Sequence, residues 1–183
     1  IVVGTPVGRI SALKKGEFTD SFFKGFSYIG LSLPMFWLAM ILQIVFFGRL
    51  GWFPLQGRYS GFSFQDYQTT FHSGFIFLDT LISGNFALFL DALKHIALPA
   101  LTMAFGVLGM LFRTTRIATI DTMKAPFFRT FKFYGFNDKE IIKKSGYKNT
   151  LIPVYTVVGL SVGFMLGGTF LVESIFDWPG IGQ

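Results

Sequence analysis

Apolar runs long enough to cross a bilayer alternate along this chain with short charged segments. Ser27 to Phe47 is twenty-one residues without a formal charge. A helix there would be roughly 31 Å long, about the thickness of a hydrocarbon core. Pro34 lies inside it and predicts a kink, which a membrane helix tolerates when a neighbour satisfies the freed carbonyl. Ile96 to Phe112 predicts a second span of seventeen residues, roughly 25 Å, and Ile152 to Val172 a third. Residues 1–13 read as the last turns of a further span, ended by Lys14-Lys15-Gly16. The expected fold is all-α, a polytopic transmembrane helix bundle. The start at Ile1-Val2-Val3, without Met, and the stop after Trp178-Pro179-Gly180 read as a fragment lacking at least one span at each end.

Charge orients these spans. Residues 113–150 hold nine of the sixteen basic side chains: Arg113, Arg116, Lys124, Arg129, Lys132, Lys139, Lys143, Lys144 and Lys148. Only Asp121, Asp138 and Glu140 oppose them. Such a loop belongs on the cytoplasmic side. Residues 49–94 balance Arg49, Arg58 and Lys94 against Asp66, Asp79 and Asp91, and Gly51-Trp52-Phe53-Pro54 suits an outer interface. That loop is expected outside, with Phe75 to Leu90 as one or two interfacial helices. Charged residues make up 14% of the chain against about 25% in soluble domains, and the mean hydropathy is +0.54. The basic excess follows membrane topology, so nucleic acid is not an expected partner and the lipid bilayer is. Cysteine is absent, which removes disulfides and thiolate chemistry.

No constellation for catalysis is present. There is no Gly-x-x-x-x-Gly-Lys-Ser/Thr phosphate loop, and His72 and His95 lack neighbours at metal-ligand spacing. His95, just before a span, reads as an interfacial residue. Neither a catalytic nor a metal site is expected. The polar groups within the spans are Ser27, Ser32, Gln43, Thr102, Thr156, Ser161 and Thr169, none of them ionisable. Ion-coupled carriers bury ionisable groups at mid-membrane, so an external energy source is the simpler expectation.

Two further patterns stand out. Gly159, Gly163 and Gly167 recur every four residues, a spacing that lets helices pack closely. In the basic loop, Pro126 can open a helix and Gly135 end it, while Asn137 and Glu140 form a capping signature for the next. Two short helices joined at a glycine make a compact protrusion. It suits a docking surface for a cytoplasmic protein, or a solvated loop held near anionic headgroups.

Several ordered motifs then resemble one family. Arg129-Thr130-Phe131-Lys132-Phe133-Tyr134-Gly135, with Asn149-Thr150-Leu151-Ile152-Pro153, resembles the cytoplasmic EAA-type loop of ABC-transporter permeases of the dipeptide/oligopeptide/nickel branch. Leu31-Ser32-Leu33-Pro34, His95-Ile96-Ala97-Leu98-Pro99, Arg113-Thr114-Thr115-Arg116 and Phe176-Asp177-Trp178-Pro179-Gly180-Ile181-Gly182 agree. The resemblance covers nearly the whole chain. It implies a type I ABC importer-like bundle in the cell (inner) membrane, moving peptides or a related small solute. It also implies a second permease subunit, two cytoplasmic ATPase subunits that bind the ATP and Mg, and an extracytoplasmic substrate-binding protein. No cofactor is implied for this chain, nor any enzyme activity of its own. Arg129, Thr130, Phe131, Gly135, Asn137, Glu140 and Pro153 would form the ATPase-coupling element. Family members place Ala where this chain has Phe131 and a small or basic residue at Phe133, which implies a matched change in the partner. The rival reading is a channel or pore subunit gated by a cytoplasmic regulator; it needs a polar pore ring, and none is visible.

Overall fold

The computed structural model describes residues 2–60, 73–180 and 182, which are helical or irregular, with no strand among them. His72 and Asp66 lie outside the described residues. In chain order the helices are α1 (Gly4–Leu13), α2 (Phe18–Ser32), α3 (Met35–Leu42), α4 (Ile76–Ile82), α5 (Phe86–Lys124), α6 (Pro126–Phe133), α7 (Asp138–Ile141) and α8 (Tyr147–Phe176). Gln43–Arg49 continues α3 as a π-helical segment, and Ile142–Gly146 joins α7 to α8 in the same way. Among the described residues one helix, α5, is long and apolar enough to cross a membrane alone. The number rises to three if each of two broken pairs counts as one span.

Three expectations change. The stretch from Ser27 to Phe47 is two helices rather than one kinked helix. Leu33, which precedes the proline, is extended (φ −79°, ψ 126°), as proline disfavours the α region in the residue before it. The apolar stretch 75–90 is split: α4 ends at Ile82, and the rest belongs to the helix of the second span. Gly84 turns the chain at φ +69°, and from Phe86 onward one helix runs 39 residues to Lys124. Nothing between Leu90 and Ile96 stops a helix, and Pro99 is accommodated inside it. The basic segment 113–150 is therefore not a loop at its start, because Arg113 and Arg116 stand on the last turns of α5.

The chain divides into two compact units, through both of which α5 and α8 pass. Unit 1 comprises residues 1–33 and 105–165, unit 2 residues 34–104 and 166–183. In unit 1, Leu111, Val154 and Val157 form a buried cluster where α5 meets α8. Here α1 and α2 press on α5 through small residues. A Cβ at Gly8 would stand 2.8 Å from the Phe112 carbonyl oxygen and from Thr115 Cβ, and one at Gly109 3.2 Å from the Ser27 carbonyl. With no hydrophobic drive between helices in lipid, close backbone approach of this kind supplies the packing.

In unit 2, Ala39, Leu98, Val172 and Phe176 form the core. The Gln43 amide donates to the carbonyls of Leu55 and Ile175, both at 3.1 Å, and Gly57 N–H donates to the Phe176 carbonyl at 2.9 Å. These bonds knit the Trp52–Ser60 stretch to the end of α8. Asp91 accepts from Ser60 N–H and Oγ at 2.6 and 2.8 Å. His95 is buried, with Nδ1 2.8 Å from the Asp91 carbonyl oxygen one turn earlier.

Candidate functional site

Residues 126–146 form a braced hairpin at the far end of α5. Ala125 is extended and Pro126 starts α6, where its missing N–H is not needed and its φ is pre-set. At the other end, Gly135 N–H donates to the Lys132 carbonyl at 3.0 Å and Phe136 N–H to the Phe131 carbonyl at 3.2 Å. That bond pair, with Gly135 at φ +86°, is a Schellman stop. The Phe131 and Phe136 rings meet edge-on at 5.7 Å, the apolar contact that commonly accompanies it. Two residues later the Asn137 side chain accepts from Glu140 N–H at 2.9 Å, and Asn137 N–H donates to Glu140 Oε2 at 3.1 Å, a complete capping box. The chain thus stops one helix and starts another within five residues.

Phe128, Ile141 and Ile142 are buried inside the hairpin, with Leu13, Met123, Phe127 and Phe131 against them. Lys132 pairs with Asp138 across the turn at 2.9 Å, an exposed bridge of little energetic weight. Lys144 lies 5.2 Å from the centre of the Phe136 ring. The Arg9 guanidinium covers the Tyr147 ring at 4.1 Å and ties α1 to the start of α8.

The structure separates the expected residues. Gly135, Asn137 and Glu140 shape the turn. Phe131 faces inward, so that bulky residue fills the hairpin rather than the outer surface. Phe133 is 90% exposed and Tyr134 77%, and Arg129 and Thr130 are exposed on the same helix. Pro153 stands apart from the hairpin, inside α8. The glycine ladder does no packing within the chain where it is described. A Cβ at Gly159 or Gly163 would meet nothing within 4 Å, and the surroundings of Gly167 lie outside the described residues.

Two charged anchors escaped the sequence reading. Asp20 is fully buried, and four donors converge on it. Arg116 reaches it with Nε at 2.7 Å and Nη2 at 2.9 Å, Ser11 Oγ at 2.6 Å, Gly16 N–H at 3.0 Å and Lys24 Nζ at 3.3 Å. The fork of Arg116 on both carboxylate oxygens is the strongest form of such a pair. It joins the start of α2 to α5, at the same level of α5 as the Gly8 contact. The clue in sequence is an acid among basic residues at one end of a span, with no way to name its partner. The other anchor is Glu173, buried in the last turn of α8, where it accepts from Gly182 N–H at 2.9 Å. A Cβ at Gly180 would collide with its carboxylate, so a larger residue there would displace the Glu173 side chain.

Among the described residues no group of three or more His, Asp or Glu could hold a metal ion. The arrangement offers a basic, aromatic-tipped protrusion between α5 and α8.

The family profile described as "Binding-protein-dependent transport system inner membrane component" matches residues 4–183. The chain is 38% identical over 180 residues, 98% of its length, to the di/tripeptide transport system permease protein DppB of Pseudomonas aeruginosa (strain UCBPP-PA14), covering 52% of that protein. It is 37% identical, over its full length, to the dipeptide transport system permease protein DppB of Alkalihalophilus pseudofirmus, covering 54%. To the oligopeptide transport system permease protein AppB of Bacillus subtilis it is 32% identical, covering 51%. The chain thus spans about half the length of these relatives. With a membrane-helix fold and a match from Gly4 to the last residue, the chain belongs to the binding-protein-dependent transport system inner-membrane component family of permeases.

Proposed function

We propose that the chain forms part of the translocation pathway of an ATP-driven importer of peptides or a related small solute, handed over by an extracytoplasmic binding protein. The observation that carries this reading is the braced hairpin, which presents Arg129, Phe133 and Tyr134 outward from the basic side of the membrane helices. A cytoplasmic ATPase seated on it would push a stiff element, not a loop, and the push would pass to α5 and α8. ATP and Mg would be bound by that partner. The open face at Gly159 and Gly163 suits a second permease subunit.

Gly135→Val tests the coupling role, because a β-branched residue resists φ +86°. In the complete transporter, membrane insertion and binding-protein docking should survive, while transport and substrate-stimulated ATP hydrolysis fall together. Full transport in this variant would remove the hairpin as the coupling element. Cysteines at Lys139 and at Ile82 should be labelled from opposite sides, Lys139 from the cytoplasm; labelling of Lys139 from outside would invert the assignment.

A further inference from the structure

A second basic feature of unit 1 lies away from the hairpin. Where α2 passes α5, a cavity of about 130 Å³ is lined by Lys24, Ser27, Tyr28, Arg113, Arg116 and Ile117. Three cations thus border one small cavity, and the nearby acid, Asp20, is buried beneath two of them. Arg116 and Lys24 are held in place by that carboxylate, so their ammonium and guanidinium groups are ordered before any ligand arrives. Arg113 is exposed and takes no part in the Asp20 cluster. The local charge is positive, and the exposed Tyr28 also lines the cavity.

The flank of the cavity is apolar and unpaired with protein. Tyr28 is 57% exposed and Ile117 46%. Along α2, Tyr28 and Leu31 follow Lys24 at i+4 and i+7, so these two exposed side chains form a stripe on the same side of the helix as the cavity, running toward the membrane interior. A free anion would use only the cations. A ligand with both an anionic head and an apolar tail would use the cations and the stripe together. The charge bias sets this end of the helices on the cytoplasmic side, at headgroup depth.

We infer that Lys24, Tyr28, Arg113 and Arg116 form a headgroup site for an anionic phospholipid of the inner leaflet, its acyl chains lying along the α2 stripe. Basic pockets between membrane helices on the cytoplasmic side take such phosphates. The site rests on the membrane location of the family and not on the ATPase reading above. Its lipid would brace α2 against α5 from outside as Asp20 does from within.

The test uses the complete transporter in detergent, with bound lipid counted by native mass spectrometry during titration with dioleoylphosphatidylglycerol, dioleoylphosphatidylcholine or inorganic phosphate. Phosphatidylglycerol should occupy one saturable site, and phosphatidylcholine should not. Arg113→Gln should weaken it about fivefold, and Lys24→Gln with Arg113→Gln further. Arg113→Lys keeps the charge and should restore binding, which separates a lipid contact from a folding defect. Equal affinity for both lipids overturns the proposal, as does wild-type affinity in the double variant or failure of Arg113→Lys to rescue. Displacement of the lipid by inorganic phosphate at matched concentration would make this a free-anion site and overturn it as well.

Discussion

The hairpin at 126–146 and the cluster around Asp20 both belong to unit 1, and they are held in opposite ways. The hairpin is built from neighbours: its defining bonds join residues three to five positions apart, and its cross-turn bridge, Lys132–Asp138, spans six. The Asp20 cluster gathers Ser11, Gly16 and Lys24 from nearby, but its strongest contact comes from Arg116, 96 residues on. A unit closed by local bonds loses them one at a time. A buried carboxylate depends on its counter-charge, and losing the Arg116 fork leaves it only Lys24 among cations. The hairpin should therefore degrade gradually and the cluster abruptly.

The largest effect should come from Arg116→Leu. Breaking one side of a buried pair costs about 3–5 kcal/mol because the other charge stays behind. The thermal midpoint of the detergent-solubilised transporter should fall sharply. Asp20→Asn in the same protein removes the stranded charge and should recover part of the loss. No recovery would show that Arg116 acts elsewhere. Gly8→Ala comes next. Its new methyl would press on the Phe112 carbonyl and Thr115, a cost of about 1–3 kcal/mol. Gly135→Ala and Asn137→Ala should each cost about 1 kcal/mol, the first through positive φ and the second through the lost cap. If either matches Arg116→Leu in the same thermal scan, the contrast between local and distant bracing is wrong.

The smallest effect is a gain. Gly159→Ala adds a methyl where nothing stands within 4 Å, inside a helix where glycine costs roughly 0.5–1 kcal/mol relative to alanine. The chain alone should become slightly more stable. Gly163→Leu sharpens this in the complete transporter: loss of assembly, read by gel filtration, would show a neighbouring helix on that face, and normal assembly would leave it to lipid.

Legibility in the sequence follows the same division. Pro126, Gly135, Asn137 and Glu140 could be read as helix punctuation because each acts on bonds within a few residues. The inward turn of Phe131 could not, since it depends on Phe136 arriving beside it and on Ile141 and Ile142 below. Asp20 and Arg116 were visible only as charges, because pairing across 96 residues leaves no periodicity. The spacing of Gly159, Gly163 and Gly167 suggested close packing. Within the chain, tight approaches occur at Gly8 and Gly109, whose partners lie on other helices. At Pro34 the pattern of apolar residues runs on unbroken, while the backbone rule for the preceding residue, Leu33, ends the helix.

The locality of the hairpin has a consequence for biosynthesis. Chains emerge at about 5–20 residues per second, whereas loops of ten residues close in tens of nanoseconds. The Schellman stop and the capping box require nothing beyond Glu140. Each can form as soon as it leaves the ribosome, well before Val172 is synthesised. The apolar part of α8 is then inserted behind a folded cationic knob that is costly to carry across the bilayer. The twenty-one residues proposed as a docking surface in the finished protein would then also act as a stop during its insertion.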